Sequence, residues 1–186
     1  MDAELSPPGS DGPGRAAGRP RYNRPAMLRR ILLLFFAALF AALCAATAQK
    51  YSGPRPPKPD LPYLKHADDL LPTEATEAKE EKQKKGDVLY VIAGAASTSK
   101  TPLASPIFLF LSDKLAAEKL QLYKLESKGG RREILFGAKK QPQPIRLDVT
   151  RVEGNLYRLE AGESLDRGEY SITPEGSNQV FCFQVF

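Results

Sequence analysis

From Asp87 to the C-terminus the chain alternates hydrophobic and polar positions in short runs separated by turn residues. The period of two predicts strands over Val88–Ile92, Ile107–Leu111, Lys119–Leu125, Arg132–Phe136, Ile145–Glu153, Asn155–Glu160, Glu169–Thr173 and Gln179–Phe186. Gly129-Gly130 and Gly154-Asn155 supply the positive φ that tight hairpins need. Glu175-Gly176-Ser177-Asn178 joins the last two strands, and Pro142 and Pro144 interrupt the chain before Ile145. Residues 113–117 read as a helical turn or loop leading into the third strand. Seven or eight close-spaced strands in about 100 residues predict an all-β body, a sandwich or a small barrel.

The pattern is different upstream. Arg29 and Arg30 precede an uncharged run, Ile31 to Cys44, which passes through Ala45-Ala46-Thr47-Ala48 before charge returns at Lys50. A basic edge, an apolar centre and a small-residue exit have the form of a secretory signal, with cleavage after Ala48. The competing reading is an uncleaved anchor, since the 18 residues Ile31–Ala48 would measure roughly 27 Å as a helix. Both place the following chain outside the membrane. Residues 1–26 are rich in Gly, Pro and Arg without apolar periodicity and read as a disordered tail, or as sequence upstream of a true start at Met27.

Residues 49–86 read as a tether. Pro54, Pro56, Pro57, Pro59 and Pro62 favour extended geometry. The stretch 61–72 is too apolar for a plain spacer, so it either packs on the body or docks a partner through Leu61, Tyr63, Leu64 and His66. Thr73 to Lys85, with acids leading and lysines trailing after a capping Thr, reads as a solvated helix or charged spacer.

Composition narrows the chemistry. The 186 residues contain no Trp, one His and two Cys, which excludes His-rich metal sites and multi-bridge disulfide scaffolds. The net charge of +5 owes much to the first 48 residues, which hold six of 27 basic and three of 22 acidic side chains. The remainder carries 21 against 19, a formal +2, so no strongly basic nucleic-acid surface is expected. Cys182, the one cysteine beyond Cys44, sits in Val-Phe-Cys-Phe and reads as a small buried hydrophobe, the alternatives being an intermolecular disulfide or a nucleophile. Gly94 to Thr101 has only a superficial likeness to a phosphate loop and reads as a small-residue connection. Glu160, Glu163, Asp166 and Glu169 lack the ordered spacing of a calcium loop. Arg131, Arg132, Lys139 and Lys140 read as a solvated basic edge. No cofactor is implied.

Leu165-Asp166-Arg167-Gly168-Glu169-Tyr170 resembles the Leu-x-x-Gly-x-Tyr corner of immunoglobulin-like and related Greek-key domains, with Leu165, Gly168 and Tyr170 matching and Arg167 where many have Pro. The resemblance implies an Ig-like/Greek-key β-sandwich and a structural role for Tyr170. The layout also resembles small uncharacterised exported bacterial proteins that pair a Pro-Tyr-Leu-x-His-Ala segment, here Pro62 to Ala67, with a β-domain ending in Phe-Cys-Phe, here Phe181 to Phe183. That resemblance implies no known activity. The expectation is a non-enzymatic binding or structural module of the bacterial envelope, with an envelope protein as partner. The alternatives are a membrane-anchored assembly component held by residues 31–48, and a calcium- or carbohydrate-binding accessory domain.

Overall fold

The computed structural model describes residues 50–139 and 141–186. The tail, the export or anchor segment and Lys140 lie outside the described residues. Within them no helix is long and apolar enough to cross a membrane.

The chain folds as curled antiparallel β-sheets. Its strands are β1 (Pro62–His66), β2 (Asp69–Pro72), β3 (Glu74–Glu77), β4 (Lys79–Lys82), β5 (Val88–Ala93), β6 (Lys100–Thr101), β7 (Ile107–Leu111), β8 (Leu120–Lys128), β9 (Arg131–Phe136), β10 (Leu147–Glu153), β11 (Leu156–Ala161), β12 (Gly168–Pro174) and β13 (Gln179–Val185). The eight expected strands are β5 and β7 to β13, each within a few residues of its predicted bounds. The count of seven or eight is too low, because four of the other five strands come from the segment read as a tether.

A five-stranded sheet runs β10-β11-β7-β1-β2. A larger one runs β3-β13-β12-β8-β9-β5-β4, with short β6 lying parallel on the edge of β13 beyond β3. The two ends of the larger sheet are consecutive in the chain. β3 and β4 are separated by Ala78 alone, whose N–H donates to the Asn178 carbonyl at 2.8 Å. The stretch 74–82 therefore pairs first with β13 and then with β5, and the larger sheet closes into a six-membered ring. An ion pair supports closure independently: Arg132 on β9 reaches Glu74 on β3, two strands that share no ladder and face each other across the ring. Closure leaves neither β5 nor β13 with a long open edge.

Alternation sorts the ring's side chains into two layers. On β13, Phe181, Phe183 and Val185 point outward into a core shared with Leu64, Phe108, Phe110 and Leu159 of the five-stranded sheet. Val180 and Cys182 point inward with Ala78, Ile92 and Leu125. One wall of the ring is thus buried on both faces, which is why Val-Phe-Cys-Phe reads as a continuous apolar run. At the β8–β9 hairpin, Gly129 and Gly130 hold φ of 59° and 77°, a turn that side-chain-bearing residues adopt poorly.

The 49–86 segment is part of the body, which corrects its reading as a tether. β1 pairs with β7, placing Leu64 in the core, and Asp60 anchors the approach to it. The Asp60 carboxylate accepts the N–H groups of Asp113, Lys114 and Leu115 at 2.9–3.0 Å. Burial pushes that carboxyl up, but these bonds outweigh it and hold the group below its ordinary value. Tyr63, Leu109 and Leu156 face away from the core yet remain at most 3% exposed, and in the proline-rich stretch before Asp60 Pro56 is buried and the Lys58 backbone meets the Tyr63 hydroxyl. The prolines favour an extended path along this approach to β1.

Candidate functional site

The ring's interior has a polar floor, an apolar middle and an open mouth. The floor is organised by Arg132, whose side chain is 1% exposed. Its Nε donates to the Gly94 carbonyl at 3.1 Å and Nη2 to the Ala93 carbonyl at 2.7 Å. Gly94, with φ of 86°, makes the turn that presents both carbonyls. Nη2 and Nη1 also donate to the two Glu74 carboxylate oxygens at 2.7 and 3.2 Å, a bidentate pair. Glu169 stands further off, its Oε2 at 4.0 Å from Nη1, and accepts the Ser97 N–H at 2.9 Å. Its Oε1 and the Ser99 hydroxyl are buried with no hydrogen-bond partner among the described residues.

The two carboxylates differ accordingly. Burial raises both, but at Glu74 the Arg132 fork and the Thr98 N–H outweigh it and the group ends below its ordinary value. At Glu169 the Ser97 N–H and the more distant Arg132 do not, and the group ends above it. The Gly94–Thr101 connection thus points its N–H groups at carboxylates of the protein itself, the Thr98 N–H meeting Glu74 at 3.0 Å. Arg132 was expected on a solvated edge; it is instead the largest fully buried side chain among the described residues.

Cys182 faces the floor, opposite Glu74 in the β3–β13 register. Complete burial pushes its thiol up to about 12, so it is held protonated and inert at neutral pH. Alkylation followed by mass spectrometry at pH 8 is expected to label the Cys182 peptide only after denaturant is added. Labelling of the native protein at the rate of an exposed thiol would show that the floor opens readily.

The middle is apolar, with Ile92, Leu125, Ile134 and Val180 packed around Ala78. Above it opens a cavity of about 280 Å³. Phe136 stands at its wall between two tyrosines, edge-on to Tyr90 at 5.2 Å and to Tyr123 at 5.7 Å between ring centroids. Glu80, opposite Tyr90 in the β4–β5 register, lines the mouth, as do Thr173 and Asn178 on the far side. All six members of the ring contribute to this wall.

The 61–72 arm, read as either packing on the body or docking a partner, packs on the body. Leu64 is in the core, Leu61 packs against it, and Tyr63 is covered. His66 is half-buried, its Nε2 3.1 Å from the Thr101 hydroxyl. Leu61, Tyr63 and Leu64 are thereby spent inside the protein, because β1 found an open edge on β7. Leu165 is buried in the outer core, and Tyr170 donates its hydroxyl to the Asp166 carbonyl at 2.8 Å. Gly168 begins β12, where a Cβ would come within 3.4 Å of the Lys124 chain. Among the described residues no group of three His, Cys, Asp or Glu side chains is placed to hold a metal ion.

The barrel mouth was missed by sequence reasoning. Its aromatic residues lie on three strands, and nothing local marks Tyr90, Tyr123 and Phe136 as neighbours. No family model, curated protein or solved structure matches the chain.

Proposed function

We propose that the protein is an exported, non-enzymatic binding module of the bacterial envelope, and that the barrel mouth is where it binds. The observation that carries the reading is the 280 Å³ cavity, open at one end and lined by three aromatic rings with a few polar groups. Concave sites of this make-up, at the mouths of β-barrels, are where small ligands are held, and this one is of a size for a small solute. The buried floor supports the same reading: an ion pair spanning the ring fixes its shape before any ligand arrives. The run Ile31 to Ala48 supports export, as a cleaved signal or a retained anchor. The packing of the five-stranded sheet on the β8–β12–β13 wall, with the Tyr170 hydroxyl bonded back to Asp166, supports a Greek-key, Ig-like relationship for that half of the body.

The test is amide-shift mapping of the protein purified from its native fraction, titrated with sets of small amines, sugars and carboxylates. Shifts confined to residues of the mouth are expected for at least one set. Shifts elsewhere, or none with any set, would overturn the binding reading. Intact mass from the same fractions addresses export: a soluble species beginning at Gln49 or a membrane species retaining Ile31 to Ala48 is expected. A soluble, uncleaved cytoplasmic species would overturn it.

A further inference from the structure

Taking the mouth as a binding site, as just argued, we infer that its ligand is a small organic cation, held by the rings of Tyr90, Tyr123 and Phe136 and by acidic groups at the rim. Three observations carry this. The first is the set of rings. Phe136 is flanked edge-on by Tyr90 and Tyr123, so the three wall one end of the cavity from two directions. Aromatic faces carry negative quadrupolar potential and attract ammonium groups, most strongly where water is partly excluded.

The second is charge. The single ionisable carboxylate lining the cavity is Glu80, and among the described residues no Lys or Arg lines it. Glu175, in the β12–β13 turn, adds a second negative charge that acts on Tyr123. The phenols respond to this field. Burial raises Tyr90 and Tyr123, and the charges of Glu80 and Glu175 respectively raise them further. An anion entering here would meet the Glu80 carboxylate and no lining counter-charge, whereas a cation would meet complementary potential.

The third is what lies deeper. Below the rings the wall turns to Ile92, Leu125, Ile134 and Val180, with Ser171 on β12 as a buried hydroxyl. Glu80 at the mouth apart, no charged side chain among the described residues lines the cavity to pair with a second charged end. The ligand therefore has one cationic head at the rings and an apolar or methylated body. A zwitterion with a carboxylate would have to leave that group in solvent.

The experiment compares choline and tetramethylammonium with 3,3-dimethylbutan-1-ol, the uncharged isostere of choline, by amide-shift titration of the natively purified protein. The cations are expected to bind at the mouth at least tenfold more tightly than the neutral alcohol. Glu80→Gln is expected to weaken choline several-fold while leaving the alcohol unchanged, and Phe136→Leu to weaken choline at preserved melting temperature. Equal affinity for choline and its isostere would overturn the cation reading and leave the binding module standing. So would binding of a sugar or carboxylate at the mouth without the cations. Absence of any shift at the mouth with every compound would overturn both.

Discussion

Arg132→Met is expected to destabilise the protein by about 3–5 kcal/mol, the usual cost of removing one partner from a buried ion pair. For a folded body of this size that lowers the melting temperature by roughly 10–20 °C. The magnitude follows from what is left behind. Arg132 satisfies two backbone carbonyls and both Glu74 oxygens, and it is the nearest positive charge to Glu169. Without it two carboxylates share a water-poor chamber whose walls cannot rearrange, because each stands on a different strand of a closed ring. Arg132→Lys is expected to recover little, since an ammonium cannot make the fork to Glu74 and also reach the Ala93 and Gly94 carbonyls. A melting temperature within 3 °C of the parent for Arg132→Met would show that the floor is wet and the pair screened.

The pH dependence of the two proteins should differ below pH 4.5, and that separates charge from simple loss of packing. In the parent, Glu74 lies below its ordinary 4.5, so its stabilisation is complete above that value and lost as pH falls through the lower folded one. Glu169 lies above 4.5, so the folded state holds its proton more tightly and stability falls as pH rises from 4.5 through the raised folded value. The two contributions together favour the folded state most near the ordinary glutamate value. Once Arg132 is removed, only the Thr98 N–H and the Ser97 side chain oppose burial at Glu74, and its carboxyl is expected to rise as that of Glu169 does. The variant is expected to gain stability on acidification from neutral pH towards 4.5, with no loss from Glu74 immediately below it. Chemical denaturation at a series of pH values reads this directly. A variant that loses stability below pH 4.5 in parallel with the parent would refute the account of the floor.

Sequence pattern carried most of the body and little of the site, and the division has a physical cause. From Val88 onward the strands bury one face or both, so apolar residues recur with period two and glycines mark the turns. The stretch 73–85 has no such marker. Its Glu, Ala and Lys content favours helix locally, and the inward positions of the strand are Glu74, Ala78 and Glu80 rather than large hydrophobes. What makes it a strand is tertiary: β13 and β5 each present an edge, and this segment pairs with both. Propensity yields to two ladders of hydrogen bonds. Arg132 is the same problem at a single residue. Next to Arg131 and a Gly-Gly hairpin it has the appearance of a solvated edge cation, and the acid that makes its burial tolerable lies 58 residues earlier. On β9 Arg132 shares a face with Ile134 and Phe136, and the closure that turns that face inward is a property of the whole ring.

Phe183→Ala is expected to cost about 4–5 kcal/mol, at the upper end for a buried phenylalanine. The ring is fully buried, packs edge-on against Phe108 at 4.9 Å between centroids and stacks on Tyr170 at 5.5 Å. It therefore ties the five-stranded sheet to the ring's wall, and its loss removes two aromatic pairs as well as apolar area. The cavity cannot collapse easily, because β13 is held on one side by β12 and on the other by β3 and β6. Phe186→Ala, at a residue 55% exposed, serves as the contrast and is expected to stay within about 0.5 kcal/mol. Urea unfolding followed by circular dichroism gives both values. The same titration tests whether the two layers unfold as one. Phe183 and Cys182 are neighbours on opposite faces of β13, one in the shared core and one over the polar floor. If β13 couples the layers, Phe183→Ala should bring forward the urea concentration at which the Cys182 thiol becomes reactive by the same amount as the loss of β-signal. Thiol protection that persists beyond the loss of the outer core would mean that the ring survives without the sheet packed on it.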